Sequence, residues 1–375
     1  MSMYLMISIL HASSYAMAKS SIRGGKSSMS SDIGHHVPHA HVVRSHQRRM
    51  QIAAAASSSS TPTATTPTRV ADLWFPEDNL IIRAEDRVFR VSKGVLAARS
   101  TVFKDMLAFD SVATDDDDDE RIDGCPVVKL HDSAADVEVF LRAIFDSSFF
   151  EPPPTKTTLP TISGILRLSH KYDVQFLRRR ALQHLDTGYP TSLAVYEISG
   201  TETFSSDGLD DSLLTIRVAS EVGASWVLPT AFYFLCYSDM RDILNSPQWP
   251  LLSPVDQETT IVSYTKQRLA CPPILPFLRI PFVEGCTSLK ECDDYRVQNL
   301  ANVHNWNISD PLGSYRDWTP FENLICAYCL KQAEEYHRQA RRKLWDELPE
   351  IYGLPSWEEL ERAKAEALNV DEEMG

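Results

Sequence analysis

The sequence predicts an α+β chain: a short mixed sheet packed by helices, followed by a mostly helical extension, behind a disordered N-terminal tail. Three observations carry this. Composition changes abruptly at Asp72, where a Ser-, Ala- and Thr-rich stretch gives way to alternating apolar and charged residues. Residues 79–84 and 87–91 are then two short β-rich runs on either side of the polar pair Glu85-Asp86, which reads as a hairpin. From Val95 onward apolar residues recur at three- and four-residue spacing, the periodicity of a helix with one buried face.

The chain of 375 residues is long enough for two or three domains, and its composition, 43% apolar and 23% charged, is that of a globular protein. A formal net charge of −14 disfavours direct binding to nucleic acid, whose phosphates reward clustered Lys and Arg. Seven cysteines form an odd set without regular spacing, which fits the reducing cytoplasm or nucleus rather than a disulfide framework. No run approaches the roughly 20 apolar residues of a membrane helix, so no membrane partner is expected. Residues 3–10 are apolar apart from Ser8 and precede Ala16-Met17-Ala18, the outline of a signal peptide, but no basic residue stands before them.

Residues 1–71 carry seven basic residues against the single acid Asp32 and end in SSSSTPTATTPT. Such a segment cannot bury enough apolar surface to offset its ordering entropy, and it reads as a disordered tail. Its Arg and Ser content also resembles a mitochondrial transit peptide. His35, His36, His39, His41 and His46 could gather a metal ion there, or simply be solvated.

After the hairpin, Ser92 is the N-cap of a helix bearing Val95, Val102, Phe103, Met106 and Leu107. Six consecutive acids at 115–120 repel one another and form a loop, with a metal site as the sharper alternative. Residues 126–130 read as a strand. Asp132-Ser133 start a helix striped by Val137, Phe140, Leu141, Ile144 and Phe145, which Pro152-Pro153-Pro154 should stop. Two more helices follow, one carrying Ile162, Ile165 and Leu166 and the other Leu177, Ala181, Leu182 and Leu185, joined at 171–174 with Asp173 as cap of the second.

This order of elements, with these residues, resembles the BTB/POZ domain in the form expanded in mushroom-forming fungi. The stretch FRVSKGVLAARSTVFKDML is similar to the family's F-x-V-x-K-x-x-L-x-x-x-S-x-x-F element, carried by Phe89, Val91, Lys93, Leu96, Ser100 and Phe103. VVKLHDS and LSHKYDVQFLRRRAL resemble its later strand and helix pair. Two departures stand out: Ser92 takes a place where many members have His, and the acidic run lengthens one loop. The resemblance places the domain at 72–188 and implies homodimerisation through the first helix and outer strand. Some relatives recruit a cullin scaffold, and Phe149-Phe150-Glu151 looks like the hydrophobic-x-acid element they use. The alternative for these residues is an apolar pair lining a loop.

Residues 189–375 read as a helical extension. Leu213, Leu214, Ile216, Val218, Ala219 and Val222 stripe one helix, and Trp226-Val227-Leu228-Pro229 opens the next with Pro in its first turn. Cys286 and Cys292 stand as C-x5-C, and Cys326 and Cys329 as C-x2-C. Four thiolates suit structural zinc by softness and number. Yet the C-x2-C pair falls in what reads as one long helix, where buried or redox-active thiols are the alternatives; His304 and His337 are reserve ligands. Residues 332–368 alternate acids and bases, with Trp345, Leu348, Tyr352, Leu354, Trp357 and Leu360 as apolar punctuation, as a solvated helix pair with one packing face does. The cations Arg338, Arg341, Arg342 and Lys343 are too interleaved with acids to form a nucleic-acid patch, and the sequon at Asn307 matters only in a secreted chain.

No glycine-rich phosphate loop, nucleophile elbow or H-E-x-x-H motif occurs. The expected function is therefore that of a protein-protein interaction and dimerisation scaffold rather than an enzyme. The alternatives are a substrate adaptor for a cullin-type ubiquitin ligase and a transcriptional regulator acting through protein partners.

Overall fold

The computed structural model describes residues 67–77, 79–109, 120–198, 204, 208–270, 275–280, 283–302, 311–313 and 324–368. The N-terminal histidines, His304, Asn307 and the acidic run up to Asp119 lie outside them.

Five strands form a mixed sheet: β1 (Thr68–Trp74), β2 (Leu80–Ala84), β3 (Arg87–Val91), β4 (Arg121–Ile122) and β5 (Cys125–Leu130), in the order β1-β3-β2-β5-β4. β2 runs antiparallel to β3 and parallel to β5, while β1 runs parallel to β3 along the far edge. Side chains alternate across a strand. Leu80, Ile82 and Ala84 therefore face the main core, and Ile81 joins Val88 and Cys125 in a small second cluster under Trp74. Arg69 covers that cluster, its guanidinium 4.5 Å from the Trp74 ring and bonded to Asp123 at 3.0 Å. Asp123 (φ 51) and Gly124 (φ 78) make the two-residue β4–β5 turn, the conformation for which Asp-Gly is suited. β1 begins inside the stretch read as tail, because its residues are mostly exposed and carry no alternating apolar signal.

The first helical stretch is two helices, α1 (Lys93–Arg99) and α2 (Thr101–Phe109), not one. Ser92 caps α1 as expected, but Ser100 breaks the run: its hydroxyl accepts from the Phe103 N–H at 2.9 Å and donates to the Tyr172 carbonyl. The kink puts Leu96, Phe103 and Leu107 in the core and leaves Val95 and Val102 37% and 38% exposed, against their assignment to the buried stripe.

Helix α3 (Ala134–Phe145) starts on Ser133, whose hydroxyl accepts from the Asp136 N–H. The hairpin turn assists, since the Glu85 carboxylate accepts from the Ala134 N–H at 3.0 Å; a carboxylate at a helix N-terminus meets unpaired donors and the positive end of the dipole. The helix stops at an Asp146–Ser148 turn, six residues short of the prolines expected to stop it. Helices α4 (Leu159–Lys171) and α5 (Gln175–Gly188) complete this part. Asp173 is not the cap of α5. It sits at φ 53 in the linker, and its carboxylate accepts from Thr101 and Gln175.

Beyond α5 come α6 (Leu193–Glu197), α7 (Leu209–Val222), α8 (Leu228–Leu235), α9 (Met240–Asn245), α10 (Pro254–Leu269), α11 (Leu275–Leu278), α12 (Leu289–Asn302), α13 (Ala327–Ile351) and α14 (Trp357–Leu368). One apolar core runs from the sheet through α3–α5 into α7, α8 and the end of α13. Arg167 on α4 fastens the two halves, donating to Asp136 on α3 at 2.8 Å and to Glu221 on α7 at 2.6 Å. The α13–α14 pair buries its packing face: Trp345 and Trp357 stack with centroids 5.3 Å apart, and Leu348, Tyr352 and Leu360 are buried. Arg341, from the basic stretch, is buried too, holding the Leu312 carbonyl at 2.7 Å and the Glu197 carboxylate.

His337 lies on the buried side of α13, where burial and the nearby Arg341 charge bring its pKa down from 6.5 to about 4. The unfolded chain therefore takes up this proton first, so the neutral ring's contribution is complete above pH 6.5 and drains away as the pH falls toward 4. Between pH 7 and pH 5 the wild type should lose about 2 kcal/mol more stability than His337→Gln, read as the difference between urea unfolding curves at each pH.

Candidate metal centre and partner-facing surface

The four cysteines singled out in the sequence come together. They reach one point from three segments: a turn before α12, the first turn of α12, and the start of α13. Their sulfur atoms all lie within 4.8 Å of one another, with Cys286 Sγ and Cys326 Sγ 3.8 Å apart. All four are free thiols. Cys292 and Cys329 are buried, whereas Cys286 and Cys326 are partly open to solvent.

Local structure explains how each thiol is aimed. The Cys286 N–H closes a turn on the Val283 carbonyl at 3.1 Å, and Gly285 in it adopts φ +86. A Cβ there would stand 2.9 Å from the Tyr328 ring, so only glycine fits both the angle and the space. Cys326 is not inside a helix, as the sequence suggested, but is the N-cap of α13. Its Sγ accepts from the Cys329 N–H at 3.5 Å, and its own N–H donates to Cys292 Sγ at 3.2 Å. C-x2-C thus straddles a helix start, where unpaired N–H groups favour thiolate. Burial pushes the Cys326 thiol up, but donors from the backbones of Cys329 and Thr287 outweigh it and bring the pKa to about 5. Cys329 and Cys292 are raised, by burial first and then by the adjoining sulfurs. Cys236, elsewhere in the core, is pushed up to about 12 by burial and is an ordinary inert thiol.

Of the two reserve histidines, His304 lies outside the described residues and His337 does not join the group. His337 is two helical turns past Cys329, about 12 Å along the axis.

Phe149, Phe150 and Glu151 separate into different roles. Phe150 is 1% exposed, with its ring 5.0 Å from that of His184, so it is a core residue rather than a contact for a partner. Phe149 is half-buried under the Arg142 guanidinium, and Glu151 is exposed with its carbonyl on His184 Nε2 at 2.7 Å.

Among the described residues the sheet has an open side. β1 is bonded to β3 on one edge only, most of its residues are exposed, and Val95 and Val102 present apolar surface on the first two helices. Sequence reasoning missed this strand, and it took the two valines for core. The motif residues, in contrast, turn out to be joints. Asp132 of the HDS segment accepts from Lys171 at 2.7 Å and from the Tyr172 hydroxyl at 2.6 Å, while Tyr172 stacks on Phe103 at 4.7 Å.

Among the described residues no helix is long and apolar enough to cross a membrane. Compared with known families, residues 78–188 match the BTB/POZ domain. No curated protein matches the chain. The fold is accordingly a BTB/POZ domain with a short curled mixed sheet, followed by a mostly helical C-terminal region.

Proposed function

We propose that this chain is a scaffold that pairs with a second copy of itself through its BTB/POZ domain and presents its helical region to further proteins. The BTB/POZ domain is a general protein-interaction module, which sets the class of function. Two observations carry the finer reading: the edge of β1 that no described residue pairs, and the exposed Val95 and Val102 on the first two helices. An unpaired strand edge and exposed apolar side chains each favour a symmetric contact, in which both copies offer the same surface. The stretch VASEVGASWVLPTAFY, from Val218 to Tyr233, is similar to text of the form of the family expanded in mushroom-forming fungi and favours that form.

Two differently tagged copies expressed together should be captured as a pair on either tag, at salt concentrations that screen surface charge. Recovery of one tag alone would refute pairing. The cullin-adaptor reading has support only from Phe149 and Glu151, which remain accessible after Phe150 is assigned to the core; cullin peptides in the same capture, lost on Glu151→Ala, are its expected signature.

A further inference from the structure

We propose that Cys286, Cys292, Cys326 and Cys329 bind a single zinc ion, and that this tetrathiolate centre is the staple of the small core formed around α11, α12 and the start of α13. A regular tetrahedron of sulfurs around zinc, with bonds of about 2.3 Å, has edges of about 3.8 Å. The Cys286–Cys326 separation is already 3.8 Å, and no pair in the group exceeds 4.8 Å, so closing on an ion takes only small side-chain rotations. An iron–sulfur cluster would need its four thiolates farther apart, because inorganic sulfide lies between them.

Two independent features point to a charged occupant. The first is that N–H groups already aim at the sulfurs, as Cys326 N–H does at Cys292 Sγ, the kind of outer contact that supports metal-bound thiolate. The second is Arg296, one helical turn past Cys292 on α12. Its side chain is 3% exposed and its guanidinium lies 5.9 Å from the Phe277 ring, a member of the same small core as Cys292. Nη2 is bonded to Asp293, while Nε and Nη1 are buried without a hydrogen-bond partner among the described residues. Four thiolates on a divalent ion leave a net charge of about −2. A buried guanidinium with spare donors, one turn from Cys292, supplies positive charge that such a centre favours.

The local core also calls for a staple. Among the described residues it is separate from the main one and small, with Phe277, Leu278, Val283, Ile325 and Ala333 as its buried apolar residues besides the cysteines. Clusters of that size rarely hold themselves together without a metal or a disulfide.

The test is metal analysis of the full chain purified under reducing conditions without added metal, with cobalt exchanged in as a second probe. The expected result is about one zinc per chain and, with cobalt, the intense visible bands of a tetrahedral tetrathiolate site. Cys292→Ser and Cys329→Ser should each lower zinc more than tenfold, while Cys125→Ser, outside the group, should keep it. Because the cysteine variants could unfold locally, hydrogen exchange on the wild type gives a second reading: chelation should loosen residues 275–302 and 324–336 while leaving 80–188 protected. Zinc well below one per chain, iron in its place, a Cys286–Cys326 disulfide in the purified protein, or exchange indifferent to chelator would each overturn the proposal.

Discussion

Tyr172→Ala should destabilise the chain by about 4 kcal/mol in denaturant unfolding, among the largest effects expected of a single substitution in the BTB/POZ domain. The ring is 5% exposed and lies between Phe103 at 4.7 Å and Phe140 at 5.9 Å, so truncation opens a cavity where α2, α3 and α4 meet. The hydroxyl adds a separate share. Burial, and then the Asp132 carboxylate that accepts its proton in a hydrogen bond, raise the Tyr172 pKa, so it stays a neutral donor at any physiological pH. Tyr172→Phe removes only that bond to a charged acceptor and should cost about 2 kcal/mol. The two variants together separate packing from hydrogen bonding: equal losses would mean that the aromatic stack contributes nothing.

The second large effect concerns association rather than folding. Val102→Asp should weaken self-association more than a hundredfold while leaving the unfolding free energy of the separated chain within about 0.5 kcal/mol. In a symmetric pair each substitution counts twice. Losing two buried valines at about 1.5 kcal/mol each is about 3 kcal/mol, already over two powers of ten in Kd, before the cost of drying two carboxylates. Val95→Asp should act in the same direction. If Val102→Asp instead lowered stability by several kcal/mol and left association intact, the first two helices would be core in the way their spacing suggested.

These outcomes bear on how much a single sequence discloses. Residues whose role depends on periodicity were legible: Val137, Phe140, Leu141, Ile162, Ile165, Leu177 and Leu182 are all buried where their spacing put them. Misreadings occurred where a local rule met a tertiary partner. Val95 and Val102 sit at helical spacing from the core positions, but Ser100 breaks the helix because its hydroxyl has a partner 72 residues away at the Tyr172 carbonyl. Asp173 has the residue type of a cap and is drawn instead to Thr101. Phe150 stood as the middle residue of a hydrophobic-x-acid element or as half of an apolar pair lining a loop; it is buried beside α5, whose Arg180 and His184 hold the Phe150 and Glu151 carbonyls. β1 gave no signal because an edge strand of alternating polar and apolar face needs only Leu73 and Trp74 to turn inward.

The cysteine group shows the same division. Residue types and the C-x2-C spacing named four candidates, but nothing in the spacing C-x5-C, or in the 33 residues between Cys292 and Cys326, specifies convergence. That depends on the turn at Gly285 and on α13 being capped by Cys326 rather than beginning before it. Arg296 has no motif at all; its burial and unmatched donors are visible only in three dimensions.

Sedimentation equilibrium of the full chain over a range from nanomolar to tens of micromolar decides the central claim most directly. Pairing through the open strand and the first two helices predicts a mass that climbs to twice that of the chain and levels off there, with Val102→Asp shifting the midpoint to far higher concentration. A mass that stays at one chain across the whole range, for the wild type as for the variant, would contradict it.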